Sequence, residues 1–228
     1  MIQRSTLRAQ VATALRDEIL AGRLPTGRDF TVKEIAEQYG VSATPVREAL
    51  VDLSAQGLLD VEQHKGFRVH EFTLADYRAM VEARKLVYDG LFHGAEDGVL
   101  PAPRAGASPE APASVRRRAD AARRAALAGD VDVLIGYDLR YWRELSGLLS
   151  NPYVCDFLDR LRVQCWVFTV PWLRGTERLA GRLWSGHREL ADAVHERDAR
   201  AAHRIVDGYN RHALELVENC GMREDSGR

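Results

Sequence analysis

The chain has 228 residues, with 32 lysines and arginines against 33 aspartates and glutamates, and its formal net charge is −1 at pH 7. That balance excludes a polycationic nucleic-acid binder, and 46% hydrophobic with 29% charged residues excludes a largely disordered chain. No apolar run reaches the roughly 18 residues that cross a bilayer, and the N-terminus lacks a signal-peptide core, so we expect a cytoplasmic protein with no membrane partner. Cys155, Cys165 and Cys220 are too widely spaced for a disulfide framework or a metal knuckle.

Two amphipathic helices are predicted at the start of the chain. Along the first, apolar side chains recur every four residues, at Leu7, Val11, Leu15 and Ile19. This spacing predicts a helix over about 6–21, because side chains four residues apart share one helix face. Thr31 and Glu34 form a capping box, in which each side chain bonds the other residue's backbone N–H. The capping box predicts a second, short helix that ends at Gly40.

A third helix and a β-hairpin follow. Ser42 is placed to cap a helix with Pro45 in its first turn, where the missing N–H costs little. We expect three apolar side chains of this helix to face the core: Val46, Leu50 and Leu53. Two short alternating runs, at 58–61 and 67–70, flank a polar turn with a glycine and predict the hairpin. The order helix, helix, tight turn, helix, hairpin predicts a winged helix-turn-helix domain over residues 1–72.

In the remainder of the chain, 73–228, the residue pattern predicts helices only. Six helical segments are expected, at about 74–97, 115–129, 131–149, 152–173, 176–196 and 199–219. Four prolines within 99–114 predict a loop that cannot be helical. The fold class is therefore mainly α, with one small β-hairpin.

The helix that begins after Ser42 is the expected recognition element. In a helix-turn-helix the second helix enters the major groove of DNA, and its first turns meet bases and phosphates. The outward positions are Ala43, Thr44, Arg47 and Val51. Arg47 is the best candidate for a base contact, since a guanidinium can donate two bonds to guanine, and Thr44 is placed for a phosphate or a thymine methyl. The alternative for Arg47 is a solvated side chain paired with Glu48 or Asp52.

Two further elements are placed for the DNA backbone. Lys33, in the first turn of the second helix, is expected to meet phosphates. The hairpin tip, His64, Lys65 and Gly66, is expected to enter the adjacent minor groove or follow its phosphates. Residues 1–72 carry 9 basic and 10 acidic side chains. Affinity must therefore come from a few placed groups, doubled by dimer symmetry, and not from net charge.

The stretch 7–69 resembles the DNA-binding domain of the GntR family of bacterial transcription regulators, above all in GVSATPVREAL at 40–50 and GLL at 57–59. With its all-helical second domain the chain further resembles the FadR branch, whose FCD-type effector domain is an antiparallel α-helical bundle. The resemblance implies DNA contacts at four positions: Lys33, Thr44, Arg47 and Gly66. Family members usually carry Arg where this chain has Ala43, so we expect an operator that differs at the corresponding base.

The resemblance also implies a metal site, of which this chain keeps half. Many members of the branch place one Asp and three His around a divalent cation that helps hold a small carboxylate. Asp138 and His187 match that set, whereas Trp142 and Tyr209 stand where two His are usual. An indole cannot coordinate a cation and a neutral phenol is a poor ligand. We therefore expect no metal and no other cofactor. The alternative is that His212, one turn beyond Tyr209, substitutes for a missing ligand.

Large amphipathic rings replace the missing ligands. All four tryptophans lie in the second domain: Trp142, Trp166, Trp172 and Trp184. Trp184 precedes His187 by three residues and so shares a face of the predicted 176–196 helix. These features predict an aromatic-walled pocket for a small organic effector, contacted by Arg84, Asp138, Trp142, His187 and Tyr209. The alternatives are that His187 is a core histidine satisfied by Asp138 or Tyr209, and that the rings fill the space and bind nothing.

Together the motifs predict a ligand-responsive, sequence-specific DNA-binding regulator that acts as a repressor. We expect a homodimer on a pseudo-palindromic double-stranded operator, and a small organic effector. The alternative is an effector-independent DNA-binding protein whose sensor has decayed. An enzyme is not expected, because HExxH, GxSxG and GxGxxG are absent. The segment 22–29 spaces two glycines like a P-loop, but it follows a helix and lacks the Lys-Ser/Thr pair.

Overall fold

The computed structural model describes four stretches of the chain: 6–62, 66–93, 98–102 and 108–219. The chain divides into two compact units, Met1–Phe72 and Thr73–Arg228. Across the described stretches, no helix is both long and apolar enough to cross a membrane. Cys155 and Cys165 are free thiols, and Cys220 lies outside the described residues.

The first unit contains three helices and three strands. The helices are α1 (Leu7–Leu20), α2 (Val32–Tyr39) and α3 (Ala43–Ala55). The strands are β1 (Asp29–Phe30), β2 (Leu59–Glu62) and β3 (Gly66–Val69), and they form an antiparallel sheet in the order β1-β3-β2. Helix α3 packs on both α1 and α2, and β2 follows it. The predicted winged helix-turn-helix is confirmed.

Burial and capping explain the three helices. Val46, Leu50 and Leu53 are completely buried, as the spacing along α3 predicts. The capping box of α2 is complete, with the Glu34 N–H donating to Thr31 Oγ1 at 3.2 Å and the Thr31 N–H donating to Glu34 Oε2 at 2.6 Å. Ser42 is the N-cap residue of α3, as predicted, and has the extended backbone of that position, but its side chain makes no capping hydrogen bond. Burial of the apolar face stabilises α3 without it.

The wing has one strand more than the sequence predicts. Strand β1 has two residues, too few to show an alternating pattern, and it is held by the Phe30 ring against Phe67 and by Arg68 Nε donating to Asp29 Oδ1 at 2.7 Å. Gly66 has φ +105°, and a Cβ there would lie 2.5 Å from the Phe30 carbonyl oxygen, so this position requires glycine. The predicted tip residues 64 and 65 lie outside the described residues.

The second unit is helical, which confirms the fold class. Its helices are α4 (Leu74–His93), α5 (Ala111–Ala128), α6 (Val131–Leu149), α7 (Pro152–Arg174), α8 (His187–His195) and α9 (Ala199–Asn219). Helix α5 packs on α6 and α8, α6 packs on α7, and α4 packs on α7 and α9. The cavity of this unit is lined by residues of α4, α6, α7, α8 and α9, and by Leu183 and Trp184 just before α8.

One predicted boundary in this unit is wrong. Helix α5 begins at Ala111, inside the proline-rich segment predicted to be a loop up to residue 114. Pro112 is accommodated in its first turn, because a residue there has no helical partner for its N–H. The first helix of the unit is predicted to extend to 97; α4 is described from Leu74 to His93, and its predicted last residues, 94–97, lie outside the described residues.

The predicted helix over 176–196 is also wrong in its first half, because only His187–His195 is helical. Arg178 and Gly181 have φ values of +58° and +73°, which a right-handed helix excludes. The Gly181 N–H donates to the Leu127 carbonyl at 3.2 Å, so the segment is tied to the end of α5. Contacts with residues distant in sequence therefore determine the conformation of this segment, although its apolar spacing is that of a helix.

Candidate functional site

The outer face of α3 is the candidate DNA-reading surface. Its four predicted outward residues, Ala43, Thr44, Arg47 and Val51, are all exposed. Asp52, the partner considered for Arg47, pairs instead with Arg8. Within the described part of the unit, Arg47 forms no ion pair. Its guanidinium is therefore available to a partner outside the chain.

Helix α2 contributes a second cation beside this face. Lys33, Gly40, Ala43 and Arg47 line one surface recess between α2 and α3. The Lys33 side chain is 84% exposed, and its Nζ lies 3.8 Å from the Glu37 carboxylate. Thr44 is exposed next to the recess, and Gly66 lies in the wing. The structure thus brings Lys33 and Arg47 to one surface, while the predicted contacts His64 and Lys65 fall outside the described residues.

The second unit contains a cavity of about 70 Å³ among its helices. Four of the five predicted effector residues line it: Arg84, Asp138, His187 and Tyr209. Arg162, Trp166, Trp184 and His212 line it as well. Burial lowers the pKa of His212, which keeps that side chain neutral at pH 7. The lining of this cavity therefore contains both aromatic and charged side chains.

The carboxylate of Asp138 lies at the centre of a buried hydrogen-bond network. Its Oδ1 accepts from Trp142 Nε1 at 3.0 Å and from His187 Nε2 at 3.1 Å. Its Oδ2 accepts from Trp166 Nε1 at 2.8 Å and lies 3.7 Å from Arg162 Nη1. Burial by itself would raise the pKa of Asp138, but the His187 bond and the Arg162 charge outweigh it and lower the pKa. Asp138 is therefore ionised and fully engaged.

Two buried arginines meet at one phenol. Tyr209 Oη accepts from Arg162 Nη1 at 2.7 Å and from Arg84 Nη1 at 3.2 Å, and Arg84 Nε donates to Asn210 Oδ1 at 2.9 Å. The Arg84 Cζ atom lies 4.5 Å from the Tyr209 ring centroid, and the Arg162 Cζ atom lies 4.0 Å from that of Trp142. Arg84 and Arg162 are 1% and 2% exposed. Buried guanidiniums of this kind need anionic or aromatic partners.

Trp142 is the predicted effector residue that the structure places elsewhere. It does not line the cavity but is 2% exposed, with its ring packed against Tyr88 and Trp184. Its N–H orients Asp138, so its position is beneath the cavity and not at its surface. Trp172 is 46% exposed and also lies outside the lining.

His187 has the neighbours of a core histidine and also lines the cavity. It is 1% exposed and bonded to Asp138, while its ring centroid lies 4.5 Å from that of Trp184. The two rings meet although Trp184 precedes α8, so the predicted helical spacing is not the reason for their contact.

Sequence reasoning missed two residues of the network, Arg162 and Trp166. Both lie on α7, four residues apart and hence on one face. Arg162 is flanked in sequence by Leu161 and Val163, and all three are buried. A charged residue amid such apolar neighbours, one turn from a tryptophan, is the signal that could have identified them.

The residues present do not fit the metal site that the family implies. Both oxygens of Asp138 accept hydrogen bonds, and the Arg162 guanidinium already supplies a positive charge beside Oδ2. The Nε2 of His187 is directed at that carboxylate. Among the described residues, no group of three or more His, Cys, Asp or Glu side chains could hold a metal ion. His212 does not complete such a group.

An exposed recognition helix in a winged helix-turn-helix, together with a helical unit whose cavity is lined by aromatic and charged side chains, defines a DNA-binding transcription regulator. The model of the bacterial regulatory proteins of the gntR family matches residues 7–69, and the model of the FCD domain matches residues 102–212. The chain belongs to the gntR family, with an FCD effector-binding domain. Both families consist of transcription regulators and not of enzymes.

Individual relatives agree with this assignment. The chain is 28% identical over 201 residues to the "Probable D-xylose utilization operon transcriptional repressor" of Paenarthrobacter nicotinovorans, over 88% of this chain and 84% of that protein. It is 25% identical over 159 residues to the HTH-type transcriptional regulator McbR of Escherichia coli K12, over 70% of this chain and 68% of that one. The solved structure of E. coli McbR/YncC matches with a TM-score of 0.74 and 20% identity, covering 95% and 99% of the two chains. At that identity the structural likeness shows the fold alone.

Proposed function

We propose that this chain is a ligand-responsive repressor that binds a pseudo-palindromic operator as a homodimer. The observation that carries the proposal is the outer face of α3, where Arg47 is exposed and forms no ion pair among the described residues. The D-xylose relative is described as a repressor, and this supports repression as the mode of action.

Arg47 supplies the base contact in this proposal. A guanidinium can donate to O6 and N7 of one guanine, and one such pair discriminates by about 1–3 kcal/mol. Lys33 supplies a phosphate contact from the same recess, which fixes the orientation of α3 without reading sequence. Ala43 offers only a methyl group, so the operator differs from that of relatives with Arg at this position.

The cavity of the second unit holds the effector. Hydrophobic and aromatic side chains make up most of its lining, and a few charged groups converge in it, as is typical of small-molecule sites. Binding there changes operator affinity only if the effector prefers one arrangement of the dimer, because a ligand shifts an equilibrium through its differential affinity.

The test is a fluorescence-anisotropy titration of an operator selected from a randomised duplex library. Arg47→Ala should abolish specific binding, reducing affinity to that for unrelated DNA. Arg23→Ala, which removes an exposed arginine paired with Glu18, is the matched control and should bind like the parent chain. Full operator affinity in Arg47→Ala would overturn the DNA-reading assignment. An operator complex that no cell-extract metabolite fraction dissociates would favour the effector-independent alternative.

A further inference from the structure

We propose that the cavity binds a small organic monoanion with an apolar body, directly on the guanidiniums of Arg84 and Arg162 and without a metal ion. The proposal rests on the proposed function, since it names the ligand class for the same effector site. It replaces the metal-held ligand implied by the family resemblance with one held by protein N–H groups.

Unpaired donors are the first observation. Arg84 Nη2 and Arg162 Nη2 are buried and have no hydrogen-bond partner among the described residues, although both side chains line the cavity. A buried guanidinium N–H without an acceptor is unfavourable, and native proteins satisfy nearly all such groups. Both arginines also bond Tyr209, so they lie side by side. Two adjacent N–H donors match the two oxygens of a carboxylate.

Charge is the second observation. The cationic groups of the lining are Arg84 and Arg162, and the one carboxylate opposite them is Asp138. Whatever the protonation of His187, the lining therefore carries at least one excess positive charge. Asp138 already accepts three N–H groups, so it has little capacity left to satisfy the unpaired atoms. A monoanionic ligand would supply both the missing acceptor and the missing charge.

The rest of the lining fits an apolar body. Leu134, Leu173, Leu216, Trp166 and Trp184 contribute hydrocarbon and aromatic surface to the same cavity. Burial of an apolar group against these walls contributes roughly 25 cal/mol per Å². The expected ligand is thus an organic acid whose single anionic group meets the arginines and whose remainder carries no charge.

The experiment compares acids with their neutral amides in isothermal titrations of the full chain. The probes are acetate, propionate and butyrate, which suit a cavity of about 70 Å³, each against its amide, with protein dialysed against EDTA and with protein supplied with Zn²⁺. At least one acid should bind the EDTA-treated protein about tenfold or more tightly than its amide, because only the acid supplies the charge. Quenching of tryptophan fluorescence should accompany binding, since Trp166 and Trp184 line the cavity.

A variant pair locates the site. Arg84→Met should weaken the acid about 10- to 100-fold, the range for one lost charged hydrogen bond, whereas Arg84→Lys should retain part of the affinity. Arg140→Met, which removes an exposed arginine of α6, should leave the affinity within about twofold. If Arg84→Met does not fold, the acid and amide comparison on the parent chain decides alone.

The proposal is overturned if none of the three acids binds the folded protein with a dissociation constant below about 10 mM, if the amides bind equally well, or if binding requires Zn²⁺. Operator binding by the same preparation separates this result from the proposed function. If the operator binds but the acids do not, only the ligand class is wrong. If an acid binds but does not alter operator affinity, the anion site stands and the ligand response is wrong.

Discussion

Replacement of Asp138 by asparagine tests the buried network most simply. The carboxylate accepts three N–H groups and balances Arg162, whereas an amide offers one oxygen and one NH₂ group. At least one of the present donors would then face another donor. We therefore expect Asp138→Asn to destabilise the second unit strongly while changing the side-chain volume very little.

The magnitude follows from burial. Loss of a hydrogen bond to a charged group costs about 1.5–3 kcal/mol, and removal of one partner from a buried ion pair costs about 3–5 kcal/mol. Because Arg162 keeps its bond to Tyr209, we expect a loss of about 3 kcal/mol in the free energy of unfolding. That is a large share of the roughly 5–15 kcal/mol typical of a domain.

Urea unfolding followed by tryptophan fluorescence measures this loss. All four tryptophans lie in residues 73–228, so the signal reports the second unit alone. Asp132→Asn is the matched control on the same helix, because the Asp132 side chain is 76% exposed and its pair with Arg174 is at the surface. The control should change stability by less than about 1 kcal/mol.

A loss below about 1 kcal/mol in Asp138→Asn would contradict the network described above. A gain in stability in EDTA-treated protein would contradict it more directly. Removal of the charge from a carboxylate that faces an empty cation site stabilises the fold. Removal of the charge from a carboxylate that accepts three hydrogen bonds destabilises the fold.

Further predictions concern pH, the wing and the hairpin tip. Burial alone would raise the pKa of Asp138, but the hydrogen bond from His187 and the charge of Arg162 give a net lowering. The ionised Asp138 therefore stabilises the fold above its unfolded pKa of about 4, and this stabilisation is lost as pH falls through the folded pKa. The Tm of Asp138→Asn should therefore fall less on acidification than the Tm of the parent chain, and an equal fall would refute this pH dependence. Gly66→Ala should destabilise the first unit by about 1–3 kcal/mol in circular-dichroism unfolding; Gly40→Ala, with open space around its Cβ, should cost less, and equal costs would count against the close approach to Phe30. Lys65→Ala should weaken all DNA sequences similarly and reduce the salt slope by about one; a sequence-selective loss would be inconsistent with a phosphate contact.

Local patterns predicted most of the fold because each element buries one regular face. The spacing of Val46, Leu50 and Leu53 defines the inner face of α3, and the capping box defines the start of α2. Strand β1 was not predictable, since two residues carry no periodicity. The segment 176–186 has apolar residues at helical spacing, yet it is not helical, because its conformation depends on contacts with a distant helix.

The candidate cavity was predictable in part. Asp138, His187 and Tyr209 were found through the resemblance to a metal site, and they do converge. Arg162 was missed because the sequence does not show which residues of different helices lie together. Its guanidinium on α7 lies beside the Asp138 carboxylate on α6. Trp142 was misplaced because the helix face does not determine how deeply a long indole packs.

Selection of DNA from a randomised duplex library by the full chain, followed by sequencing, tests the central claim most directly. The proposed dimer, with two recognition helices, predicts strong enrichment of one sequence that contains two inverted half-sites, and Arg47→Ala should fail to enrich it. Enrichment of no sequence above unrelated DNA by the folded parent chain would contradict the claim that this protein reads DNA.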